Sequence, residues 1–99
     1  MKPALTPRRL DQALTACACA FEVPRREIVS RCRLPAVARA RLALYAALYF
    51  SCETSYPELA RYLRRDHTTI LIGVRKVEDQ MRRDREYAHR IGRIMEACR

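Results

Sequence analysis

Glycine is scarce in this chain: Gly73 and Gly92 are the only two among 99 residues. Hairpin turns take their positive backbone angles largely from glycine, so a sheet built on tight hairpins has too little of it here. Histidine is also rare, with only His67 and His89, and no Ser-His-Asp or Cys-His order surrounds either one. The chain is therefore read as a non-enzyme without a cofactor. The five cysteines, Cys17, Cys19, Cys32, Cys52 and Cys98, contain no Cys-x-x-Cys pair, and Cys17-x-Cys19 has no second pair at zinc spacing. Their odd number, with no signal-like segment ahead of them, argues against a secreted disulfide framework. Reduced thiols, some of them small core residues, are expected instead, and no metal site. The opening Met-Lys-Pro-Ala-Leu-Thr-Pro holds no apolar core, and no apolar run is long enough to span a bilayer, so a cytoplasmic protein is expected.

What is present is helix-forming and basic. Ala, Leu and Arg dominate, and such residues lose little freedom in a helix. The hydrophobic fraction of 49% supports a packed core, and the length suits one domain over residues 1–99. The net charge is +9, with a pI near 10.0, and eighteen of the twenty basic residues are arginine. Such an excess points to polyanions, either nucleic acid or an anionic membrane surface. On charge alone, a solvated basic surface explains it equally well.

Periodicity divides the chain into helices. Thr6-Pro7 reads as a cap followed by proline at the first helical position, and Leu10, Ala13, Leu14, Cys17 and Phe21 recur at helical spacing to Phe21. Pro24 opens a short helix to Val29, with Ile28 and Val29 expected in the core, and Ser30-Arg31-Cys32-Arg33-Leu34 is a basic connection. Pro35 opens a helix to about Cys52, with Arg39 and Arg41 near a start that the macrodipole makes unfavourable for cations. Ser55-Tyr56-Pro57-Glu58 resembles a capping box for a helix to Leu63. After the Arg64-Arg65 turn, Asp66 caps a helix whose stripe is Ile70, Leu71, Val74, Val77 and Met81, and Asp84 caps a last one. The fold class is all-α, a compact multi-helix domain containing a helix-turn-helix with its core at about residues 54–83.

In that plan the second helix enters the major groove with its first residues on base edges. Asp66, His67, Thr68 and Thr69 supply an acceptor, a donor-acceptor ring, two hydroxyls and two methyls, groups suited to cytosine N4 and thymine methyls. On the residues alone, an ordinary capped and exposed helix start explains them equally well.

The run Arg65-Asp66-His67-Thr68-Thr69-Ile70, with Val74-Arg75-Lys76-Val77-Glu78 after it, resembles the C-terminal DNA-binding domain of the bacterial replication initiator DnaA. Val37-Ala38-Arg39-Ala40-Arg41 and Ser55-Tyr56-Pro57-Glu58-Leu59 extend the resemblance, which covers roughly Leu10 to Met81. It implies a helix-turn-helix that binds double-stranded DNA at a DnaA box. It further implies that Arg33, on the basic loop, reaches the minor groove and that Asp66, His67 and Thr68 read bases. Arg41, Thr69 and Lys76 would hold phosphates, Pro57 would lie near the duplex, and Arg65 belongs to the same DNA-binding set. The chain departs from the family at Leu42, Tyr49 and Ile72, which stand where Gln, Lys and His are common, and in the turn before Arg65, which lacks the usual glycines. No Gly-x-x-x-x-Gly-Lys-Ser/Thr loop exists, so no ATPase of the initiator's kind is expected.

The resulting expectation is a stand-alone, nucleoid-associated reader of DnaA-box-like sites, acting in transcription or as a modulator of replication initiation. Its partner would be duplex DNA, with no membrane and no small-molecule substrate. A homodimer is compatible with the helical end at Asp84–Arg99. Two rivals remain: a DnaA-like protein-interaction module with reduced DNA binding, motivated by the altered anchors, and a structured-RNA binder. The narrow A-form major groove would exclude the recognition helix of the latter. The arginine-rich last helix also fits a membrane-surface element, but such a helix is more often the core-covering helix of a small bundle.

Overall fold

The computed structural model describes residues 1–99 and contains six helices: α1 (Pro7–Phe21), α2 (Arg25–Ile28), α3 (Pro35–Ser51), α4 (Tyr56–Leu63), α5 (His67–Arg83) and α6 (Arg85–Ala97). Side-chain caps fix four of the starts. Thr6 Oγ1 accepts from Arg9 N at 3.1 Å, Ser55 Oγ from Glu58 N at 3.2 Å, Asp66 Oδ1 from Thr68 N at 2.8 Å and Asp84 Oδ1 from Tyr87 N at 3.0 Å. The box at α4 is altered: the Glu58 carboxylate accepts from the Thr54 hydroxyl at 2.7 Å.

Helix α3 lies at the centre, against α1, α5 and α6. The run from Ala43 to Leu48 is buried on all sides, so α3 shows no clean apolar stripe. The other helices each turn one face to it: Ala13, Leu14 and Cys17 from α1, Ile70, Val74 and Val77 from α5, and Tyr87, Ile91 and Ile94 from α6. These residues belong to one continuous core of 24 buried side chains. The radius of gyration is 12.0 Å, close to the ~13 Å of a packed chain of this length.

Two glycine-like corners are filled by other residues. Glu22 and Arg64 close α1 and α4 at φ 54° and 55°, the left-handed region that costs a side-chain-bearing residue roughly 1–2 kcal/mol. Gly73 serves a different purpose, close approach. A Cβ there would sit 2.7 Å from Leu42 Cδ2, so the bare backbone of α5 makes room for the Leu42 side chain of α3.

One expectation is corrected. Val29 does not join the core: Ile28 is 1% exposed, but Val29 follows the end of α2 and is 56% exposed. Residues 3–5, ahead of α1, are pinned to the body of the domain. Glu53 N donates to Pro3 O at 2.7 Å, Tyr62 Oη to Leu5 O at 3.1 Å, and Leu5 is buried. Arg39 has an explanation besides any ligand, since it pairs with Asp84 at 3.3 Å and lies 4.5 Å above the Tyr87 ring. No helix is long and apolar enough to cross a membrane.

Candidate nucleic-acid interface

The inward stripe of α5, Ile70, Gly73, Val74 and Val77, decides what the helix presents outward. His67, Thr68, Thr69, Ile72, Arg75 and Lys76 are all exposed. Asp66 stands just before them, its carboxylate 69% exposed even as it caps the helix, with His67 Nδ1 at 3.9 Å. The four residues singled out in the sequence thus crown a rigid helix whose position is set by buried contacts with α3 and α4. Thr69 and Lys76 lie on one flank, toward the start of α3. Thr69 borders a groove shared with the basic connection, while Lys76 lies beside Pro35, Ala38 and Leu42.

The groove is strongly cationic. Arg31 and Arg33 from the basic connection, Arg41 from α3, and Arg64 and Arg65 from the turn ahead of α5 all line it. Asp66 is the only carboxylate among its lining residues. None of these five arginines, nor Arg75 or Lys76, is within ion-pair distance of an acidic side chain. Acidic partners are instead taken up elsewhere, by Arg25, Arg39, Arg83, Arg90 and Arg99. Unpaired cations around an exposed helix start create a field that attracts phosphate and retains it.

Arg41 has a different placement from the one expected of a phosphate anchor. Its Nε donates to Ile28 O at 2.8 Å, Nη1 to Cys32 O at 2.9 Å, and Nη2 to Glu27 O and Ser30 O, each at 2.9 Å. Arg65 is likewise partly committed, Nη2 to Ser30 O at 2.7 Å and Nε to Tyr45 Oη at 3.3 Å. Pro57 is exposed on the first turn of α4, next to Tyr56. Tyr56 stacks on Tyr49, with ring centroids 4.2 Å apart and planes at 5°. Partial burial, then Tyr49 and Glu78, raise the Tyr56 phenol to about 12, opposed by Arg75. Arg31 and Arg64 were not among the residues singled out in the sequence. The doublet Arg64-Arg65 was visible, but not that a left-handed corner would turn Arg64 toward the basic connection.

This arrangement has known counterparts. The family model described as the bacterial DnaA protein helix-turn-helix matches residues 10–77, well over half of the chain. The chain belongs to that DnaA family. The chromosomal replication initiator DnaA of Agrobacterium fabrum is 37% identical over 73 residues, covering 72% of this chain and 15% of that protein. The DnaA proteins of Rhizobium meliloti and Xanthobacter autotrophicus are 33% and 35% identical over 85 residues, 84% of this chain and 18% and 17% of theirs. The chain thus spans less than a fifth of the length of these relatives.

The positions that depart from the DnaA pattern have structural roles here. Leu42 packs over Gly73, sealing the closest approach of α3 and α5. Tyr49 is taken up by the stack on Tyr56. Ile72 remains outward and 49% exposed, an apolar residue on the face that carries Thr68 and Arg75.

Proposed function

We propose that this DnaA-family chain binds double-stranded DNA in a sequence-dependent way at DnaA-box-like sites, and that it acts in the nucleoid on transcription or replication initiation. The observation that carries this reading is the exposed start of α5, with the side chains of Asp66, His67 and Thr68 open to solvent beside a groove whose arginines have no acidic partner. Base edges would meet Asp66, His67 and Thr68, Arg33 would enter the adjacent minor groove, and Thr69 and Lys76 would hold the backbone. Residues 1–99 hold no phosphate-binding loop for ATP, and the activity proposed for them is DNA binding.

The roles separate in a titration against selected and scrambled duplexes at several salt concentrations. His67→Ala should lower affinity for the selected duplex, by about 1–3 kcal/mol, while leaving the scrambled one little changed. Lys76→Ala should weaken both about equally and reduce the salt slope by roughly one ion. Equal losses on both duplexes for His67→Ala would remove it from the reading set.

A protein-interaction module is the second reading, and the exposed Ile72 on the outward face of α5 favours it. An Ile72→Gln variant separates the two. Unchanged DNA binding with loss of a co-purifying protein would support the module. The apolar stripe of α6 is spent on the core through Tyr87, Ile91 and Ile94, so that helix offers a polar rather than an apolar face to a second copy.

A further inference from the structure

We infer that Arg41 and Arg65 are positioning residues: they hold the basic loop 29–34 in the shape that presents Arg31 and Arg33 to DNA. This rests on the DNA-binding reading above and assigns Arg41 a role other than phosphate contact. An arginine has five N–H donors, and four of those of Arg41 are spent on four different carbonyls, at Glu27, Ile28, Ser30 and Cys32. Only one N–H, on Nη1, remains. Arg65 then donates to the same Ser30 carbonyl at 2.7 Å. Ser30 O is therefore shared by one guanidinium from α3 and one from the turn ahead of α5, which ties the loop to the helix-turn-helix itself.

Little else holds this loop. No backbone N–H from residue 31 to 34 donates to a backbone carbonyl, and the Cys32 N–H is met by Ser30 Oγ at 3.0 Å. Val29 and Leu34 at its two ends are 56% and 61% exposed, so apolar contact with the core is left to the partly buried Cys32. Glu27 O is also met by Ser30 N at 3.1 Å and Ser30 Oγ at 2.7 Å, but Ile28 O and Cys32 O have no donor other than Arg41, whose fork reaches both from one rigid plane. With the loop carbonyls taken up by Arg41 and Arg65, Arg31 and Arg33 stay exposed and line the groove that Asp66 and Thr69 also border. A loop ordered before binding does not charge its ordering entropy to the complex. Lysine in place of Arg41 keeps the charge but presents one compact ammonium with three donors, which cannot span four carbonyls.

The test uses the full chain, with Arg41→Lys, Arg33→Ala and the double variant. One readout is backbone amide relaxation of the free protein; the other is affinity for selected and scrambled duplexes across salt. Arg41→Lys should loosen the amides of residues 29–34 while those of α3 and α5 keep their order. It should lower selected-duplex affinity by roughly tenfold, keep the salt slope, and make the added Arg33→Ala nearly silent, because the two act through one loop. Arg65→Lys provides the same readout through Ser30 if Arg41→Lys does not fold. An ordered loop in the lysine variants, wild-type affinity in Arg41→Lys, or additive losses with Arg33→Ala would each overturn the lock. A wild-type chain with an ordered loop and no preference among duplexes would instead overturn the DNA reading on which the lock's role depends.

Discussion

The cap made by Asp66 and the base contact proposed for it can be pulled apart by a pair of substitutions. Its Oδ1 accepts from Thr68 N at 2.8 Å, so it caps α5, and its carboxylate is 69% exposed, so it can also meet a base. The cap is one bond at an exposed site, which puts the cost of Asp66→Ala near the low end, about 0.5–1 kcal/mol. For a domain of this size that lowers Tm by roughly 2–8 °C. Asp66→Asn retains the cap, since asparagine serves that position about as well, and stability should shift by only a few tenths of a kcal/mol. A base contact is worth ~1–3 kcal/mol, or about 5- to 140-fold in affinity. The asparagine variant should lose discrimination on that scale, because its amide adds a donor where only an acceptor stood. Thermal melts give the first quantity, and fluorescence anisotropy on selected and scrambled duplexes gives the second. If Asp66→Asn kept wild-type discrimination, Asp66 would be a cap and nothing more.

Two further outcomes follow from the packing. Gly92 lies within α6 with nothing within 4 Å of an added Cβ, so Gly92→Ala should stabilise the fold by about 0.5–1 kcal/mol, visible as a higher Tm; a lower Tm would contradict the open surface there. Burial raises both Cys17 and Tyr87 to about 12, from ordinary values of 9.0 and 10.0. Each is neutral when protonated and has a raised folded value, so its contribution is intact below its ordinary value and lost as pH climbs toward 12. Alkaline destabilisation should therefore begin above about pH 9, and Tyr87→Phe should flatten its upper part; an unchanged profile would show that Tyr87 does not titrate against the fold.

The elements with strong local signals were legible in the sequence. Thr6-Pro7, Ser55 and Asp66 each mark a helix start through a side chain that reaches only its own first turn, so no tertiary knowledge was needed. The DnaA resemblance rested mainly on the contiguous run Arg65 to Ile70 with Val74 to Glu78 after it, and was extended by Val37–Arg41 and Ser55–Leu59. What the sequence concealed depends on distant partners. The left-handed corners at Glu22 and Arg64 carry no glycine to announce them. Pro3 pairs with Glu53 through backbone atoms alone, which leave no mark in the side-chain pattern. The same holds for Arg41: its partners are carbonyls at residues 27, 28, 30 and 32, and backbone acceptors are identical in every sequence. Arg41 matches a phosphate-holding position of the family, and nothing in that match shows that its guanidinium donates to these four carbonyls. Val29 was placed in the core because it follows Ile28, but the helix ends there and the chain turns outward.

Sequence-dependent recognition by the start of α5 is tested most directly by selection of bound sites from a random duplex pool, with the wild-type chain and His67→Ala run in parallel. The wild type should enrich one short motif related to the DnaA box, and His67→Ala should relax it at a defined position while leaving the rest. Tight, salt-sensitive binding with no motif enriched by the wild type would mean that the basic groove grips phosphate and that Asp66, His67 and Thr68 read nothing.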